Sequence, residues 1–231
     1  MPETGALEEE KHVAADPVLI PMSAVLSLER DWYAQARPYR QHFEENVYPT
    51  VAPKTMQGLK NFIGNFRYDW LALAKALWGK GEHTKAKQLA ELVDYFIGWF
   101  RTNAPGASEI DALHRWASSA GENDFLWSAP GVRRIKGLAS RAYEQLHWYL
   151  DGAIKFDRHV EGFASEVLGR AVMDEEGKEA LAEIASEMGI DKTNLDARVW
   201  DFMQKRSKKS RRRDRTCKRA IAAPEDTLVT K

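Results

Sequence analysis

The chain has 231 residues, enough to bury a sizeable core in one large domain or two interleaved lobes. Its 34 Lys and Arg balance 34 Asp and Glu, and 44% hydrophobic content with eight Trp, seven Tyr and nine Phe excludes a disordered chain. The single cysteine, Cys217, excludes an internal disulfide and any Cys-built metal or iron–sulfur site, and no apolar run approaches the roughly 18 residues of a membrane span.

The zero net charge hides an uneven distribution. Residues 205–219, KRSKKSRRRDRTCKR, hold ten Lys or Arg against one Asp, a net +9, which leaves −9 on the rest. The N-terminal MPETGALEEEKH is acidic and lacks the basic-then-apolar order of a signal peptide. The expected location is the cytoplasm, on the nucleoid if the source is a bacterium or in the nucleus if it is a eukaryote.

In chain order, residues 1–20 are polar and Pro-containing and are expected to be loosely ordered. A helix is predicted from Ser23, as cap, to about Asn46, carrying Val25, Leu26, Leu28, Trp32 and Tyr39, with Pro49 and Pro53 beyond it. Over 59–78, Ile63, Phe66, Trp70, Ala74 and Leu77 recur at helical spacing, and the sequence GKGE breaks the pattern. Over 83–101 it resumes through Ala86, Leu89, Ala90, Val93, Phe96, Ile97 and Phe100, and Asn103–Gly106 ends it. A short helix follows at 108–119 and a loop at 121–129. Ile135, Leu138, Ala142, Leu146 and Tyr149 set the next helix, and Val160, Phe163, Val167, Leu168 and Ala171 another. Two more cover 175–188 and 191–206, parted by Gly189. Strand patterns are scarce, and no convincing period-2 segment is bounded by turns. The expected fold is all-α, with about eight to ten helices in two lobes around a central cleft. One helical domain spans 21–204 and a basic, disordered tail spans 205–231.

Two features in 132–169 carry chemistry. Lys136-Gly137-Leu138-Ala139-Ser140-Arg141 puts a glycine just before a helix, where free N–H groups and the dipole favour phosphate. Lys136, Arg133, Arg134 and Arg141 add positive charge, although an ordinary helix corner with solvated basic residues has the same composition. Asp157 stands just before a predicted helix. Asp is a common N-cap, and that position also favours its ionised form. A fixed anion is what glycosidic cleavage requires, because the sugar develops oxocarbenium character. One helix of about four turns and a short loop separate the two, so an antiparallel return would bring Asp157 back towards the turn.

This stretch resembles the helix–hairpin–helix DNA glycosylase superfamily, the endonuclease III-like base-excision fold. The matching residues are Gly137 to Arg141 for the hairpin and Asp157-Arg158-His159-Val160 for the aspartate motif. Downstream, Gly189-Ile190-Asp191, Leu195-Asp196 and Trp200 are similar to the closing helices of small bacterial members. The family hairpin usually has a second glycine where this chain has Ala139. Arg141 stands near the catalytic lysine of some members, with Lys136 as the nearest substitute. The resemblance covers roughly residues 125–205. It implies a monofunctional DNA N-glycosylase, a hydrolase without a cofactor or metal, expected to act as a monomer. In that reading Asp157 is catalytic with Lys136 beside it. Gly137, Leu138, Ala139, Arg141, Arg133, Arg134 and His159 contact DNA, and the partner is the phosphate backbone plus one extruded base, with no membrane.

Other readings compete. Residues 181–200 also fit a helix-turn-helix, against which stand Asp191, Asp196 and Asp201 on the second helix. A non-catalytic nucleic-acid-binding protein of the same fold, or a helical coat protein with a packaging tail, would also carry the basic segment, which binds phosphates non-specifically. Trp127, His114 and Trp116 are the candidates for wedging into a duplex or stacking on an extruded base. The six His show no metal spacing.

Overall fold

The computed structural model describes residues 12–27, 36–119, 135–150, 152, 154, 158–203 and 205–206. No strand occurs among the described residues, and the protein is all-α as the sequence predicts. The chain divides into two compact units between residues 153 and 154, inside the span that the sequence treats as one domain.

The first unit is built around a helix that sequence periodicity does not show. Helix α1, Leu19–Leu26, reads LIPMSAVL, and all eight of its residues are buried. A helix that is apolar on every side belongs inside a core. Each of its large aliphatic side chains contributes roughly 2 kcal/mol by leaving water. Its start is fixed by Asp16, whose Oδ1 accepts from the N–H groups of Val18 (2.8 Å) and Leu19 (3.2 Å). Pro21 lies in the first turn, where its missing N–H would have had no helical partner. The expectation of a loose segment to residue 20 therefore fails from residue 12 onward, because Val13, Val18, Leu19 and Ile20 are core residues. Ser23, the predicted cap, is instead a buried residue within α1.

Helix α2, Arg37–His42, runs on through a π-helical stretch, Phe43–Val47, into a short 3₁₀ turn, Tyr48–Thr50. The periodic pattern over 59–78 is two helices, α3 (Met56–Gly64) and α4 (Trp70–Trp78). They are parted by a turn in which Arg67 and Tyr68 take positive φ, 48° and 69°. Asp69 caps α4 by accepting from the N–H of Ala72 at 2.9 Å. Gly79, at φ 68°, ends α4. Helix α5 (His83–Asn103) and helix α6 (Glu109–Ser119) fall where the sequence places them. Helix α7, Ala139–Leu150, closes the unit. The predicted face Ile135, Leu138, Ala142, Leu146 and Tyr149 is buried throughout. Helix α1 packs between α5 and α7.

The second unit contains α8 (Arg158–Leu168), α9 (Asp174–Glu187) and α10, residues 192–203. Its own small core is Ile154, Val160, Leu181, Ala185, Leu195 and Val199. Between α9 and α10, Gly189 adopts φ 64°. The N–H of Gly189 donates to Ser186 O (3.1 Å) and that of Ile190 to Ala185 O (3.0 Å), a Schellman closure of α9. Among the described residues no helix is long and apolar enough to cross a membrane.

Candidate nucleic-acid interface

The basic glycine turn lies in the first unit, at the entry to α7. Lys136 and Gly137 are exposed, while Ile135 and Leu138 on either side are buried. Gly137 has φ 89°, a conformation that side chains other than glycine rarely adopt. The Leu138 N–H donates to Ile135 O at 3.0 Å, tightening the turn. This corrects one expectation: Leu138 is a core residue whose N–H is occupied within the turn, so it does not belong to the phosphate-contacting set. Beneath the turn lies Gln88 of α5, only 6% exposed. Its Nε2 donates to Lys136 O at 3.0 Å. Sequence reasoning missed Gln88, because its role is visible only through a residue 48 positions away.

Ala139 and Arg141 stand in the first turn of α7, and only their backbone is described. Asp157, Arg133, Arg134 and Trp127 lie outside the described residues.

In the second unit α8 runs over Arg158–Leu168. His159 is half-buried, with its ring 6.1 Å from that of Trp200 at 80°. Val160 shares a core with Leu195 and Val199 of α10. The aspartate-motif stretch and the Leu195-Asp196…Trp200 stretch, distant in sequence, therefore meet in one small core.

The acidic residues weighed against a groove-reading α10 are occupied inside this unit. Asp191 Oδ1 accepts from the N–H of Asn194 at 2.7 Å, Asp196 is buried, and Asp201 pairs with Lys205 at 2.6 Å. The first two residues of the basic segment are helical. These residues, Lys205 and Arg206, are exposed, and Arg206 pairs with Glu166 of α8 at 2.6 Å. Such exposed pairs contribute little to stability and leave both cations accessible.

The remaining aromatic candidates divide. Trp116 is fully buried. Its ring meets Phe96 edge-on at 5.1 Å and His147 at 5.3 Å, and its Nε1–H donates to the Tyr95 hydroxyl at 3.0 Å. It is a core residue and cannot wedge into a duplex. His114 is exposed, with Nδ1 2.6 Å from Leu150 O.

The first unit also carries an open groove of about 390 Å³ where α5 ends and α6 begins, lined by Gln57, Ile97, Phe100, Arg101 and Glu109 among others. Glu109 accepts from the N–H of Met56 at 2.5 Å, at the start of α3. Burial pushes its carboxyl above the usual range, against the backbone N–H groups of Met56 and Gln57, which pull it down. Among the described residues no three His, Cys, Asp or Glu side chains converge as a metal site.

No protein-family model, no curated protein and no solved structure matches this chain.

Proposed function

We propose that this protein binds DNA through its phosphate backbone and hydrolyses the N-glycosidic bond of a damaged or non-standard base. The observation that carries the reading is the assembly of the second unit. The two stretches on which the glycosylase resemblance rests share a core through Val160 and Leu195 and a ring contact through His159 and Trp200. The first N–H groups of α8 and its dipole favour an ionised Asp157. That carboxylate stabilises positive charge at C1′ as the glycosidic bond lengthens, and orients a water. The base departs with the electrons of the C1′–N bond, water adds to C1′, and its proton passes to solvent. The exposed Lys136–Gly137 turn and the basic segment from Lys205 onward hold the backbone.

The test is single-turnover base release from duplexes carrying a panel of lesions, with DNA affinity measured in parallel. Asp157→Asn lowers the release rate on the order of 10²- to 10⁴-fold and leaves affinity unchanged. Equal rates for the variant and the parent remove Asp157 from the chemistry. Binding without release across the panel establishes the non-catalytic alternative. Concentration-dependent assembly into large particles points to the coat-like one.

A further inference from the structure

We propose that Phe202 is a base-stacking residue, so that DNA is held with an unpaired base on its ring and the neighbouring phosphates on Lys205 and Arg206. This rests on the DNA-binding part of the proposed function and specifies the form of DNA that is bound.

Phe202 continues the core stripe of α10 past the core. Leu195, Val199 and Phe202 recur at helical spacing; the first two are 6% and 3% exposed, whereas Phe202 is 51% exposed. On α8, Phe163 sets its ring edge-on to that of Phe202, with centroids 6.2 Å apart and planes at 81°. An edge-on pair covers at most one face of Phe202. Phe163 thereby steadies the ring and leaves stacking surface open.

The cations stand on the same seam. Contacts step along α8 in order: His159 with Trp200, Phe163 with Phe202, then Glu166 with Arg206. Phe163 and Glu166 lie one turn apart on one face of α8, so the ring pair and the ion pair are neighbours. Lys205 is tied to Asp201, the residue before Phe202, at 2.6 Å. Such exposed pairs are weak, and a phosphate can displace either carboxylate. Lys205 and Arg206 are two of the ten Lys and Arg in residues 205–219, and the other eight follow them.

A lone exposed apolar side chain is ordinary. Phe202 differs because it extends a buried stripe and meets the start of a dense run of cations. That pairing fits nucleic acid: stacking uses the π-face that every base carries, and cations follow the backbone. In a fully paired duplex those faces are covered by the neighbouring pairs, so the ring selects an unpaired base. A second copy of this chain fits poorly, because it would bring another +9 segment against the first. A membrane surface fits poorly too, since KRSKKSRRRDRTCKR has no Leu, Ile, Val, Met, Phe, Tyr or Trp to enter a bilayer.

The experiment measures the affinity of the full chain for a fluorescein-labelled single strand, and for the same strand in a fully paired duplex, across a salt series. Phe202→Leu keeps an apolar side chain and removes the ring. It is expected to weaken single-strand binding about tenfold with the salt slope unchanged, and to alter duplex binding less than about twofold. Phe202→Trp keeps parental or better single-strand affinity, which a role confined to packing would not require. Arg206→Ala weakens binding of both DNAs and reduces the slope by about 1. Thermal melts of each variant separate these effects from unfolding. Parent-like single-strand affinity in a folded Phe202→Leu, or equal losses on both DNAs, overturns the proposal and leaves the DNA-binding reading intact. So does binding to phosphatidylserine vesicles, or concentration-dependent dimerisation, that Phe202→Leu abolishes while DNA binding stays parental. A parent with no affinity for either DNA overturns the DNA-binding reading and the proposal with it.

Discussion

The anchoring of the buried helix α1 gives a quantitative test of the fold. Asp16 caps α1 with Oδ1 and accepts from the Tyr48 hydroxyl with Oδ2, a bond that ties the start of α1 to the turn after α2. Asp16→Ala removes the cap, about 1 kcal/mol, and leaves the Tyr48 hydroxyl without its carboxylate partner, a further 1–3 kcal/mol or so. The expected loss is roughly 2–4 kcal/mol. Tyr48→Phe removes only the second bond and costs roughly 1–2 kcal/mol. If the two effects pass through one bond, the double variant falls short of their sum by about 1 kcal/mol or more. Urea unfolding of the four proteins measures this, with midpoints converted at a common slope. Strict additivity would refute the linkage. A second signature comes from pH. Burial first, then the hydrogen bond and the charge of Asp16, push the Tyr48 phenol up to about 12 from its ordinary 10. Between those values the unfolded chain has released its proton and the folded chain has not. The contribution is therefore complete below about pH 10 and is lost as pH rises towards 12. Tyr48→Phe abolishes that alkaline decline.

Two further predictions concern residues with opposite expected behaviour. Trp116→Ala removes a ring packed on Phe96 and His147 and a bond to Tyr95, and should destabilise the first unit by about 3–5 kcal/mol in urea unfolding; a near-parental midpoint with weakened DNA binding would place Trp116 at the interface after all. Glu109 has its carboxyl raised mainly by burial, so its contribution is greatest when protonated and falls as pH rises through its folded value. Glu109→Gln keeps an acceptor for the Met56 N–H without a charge, and should gain less than about 1 kcal/mol at neutral pH, a gain that shrinks on acidification; a loss at neutral pH would show that the ionised carboxylate stabilises α3.

The elements that could be read from sequence are those with one apolar stripe and ordinary ends. Helices α5 and α7 repeat buried residues every three or four positions, and Pro105 and Gly106 lie just past the end of α5. Helix α1 has no stripe, because every side is apolar, so periodicity gives it no start. Its real start signal, Asp16, lies in a stretch that composition alone assigns to a loose terminus. The break between α3 and α4 was also hidden. It is made by Arg67 and Tyr68 in left-handed conformations, where sequence patterns look for Gly or Pro. Asp69 was the usable signal there, since it caps α4.

The candidate site shows the same division between local and distant information. Gly137 was legible, because a glycine before an apolar-periodic helix implies a special φ. Gln88 was not, because a glutamine on the buried side of α5 acquires meaning only from the carbonyl above it. Ala139 is the first residue of α7 and takes part in the helix, so a Cβ is tolerated there. The glycine that the turn cannot exchange is Gly137, at φ 89° against Gln88. The Leu138 N–H is occupied by Ile135 O within the turn. In the proposed reading attraction to phosphate falls mainly to cations, of which this chain concentrates ten in residues 205–219, so a variant lacking that segment is expected to lose most of its salt-dependent DNA affinity.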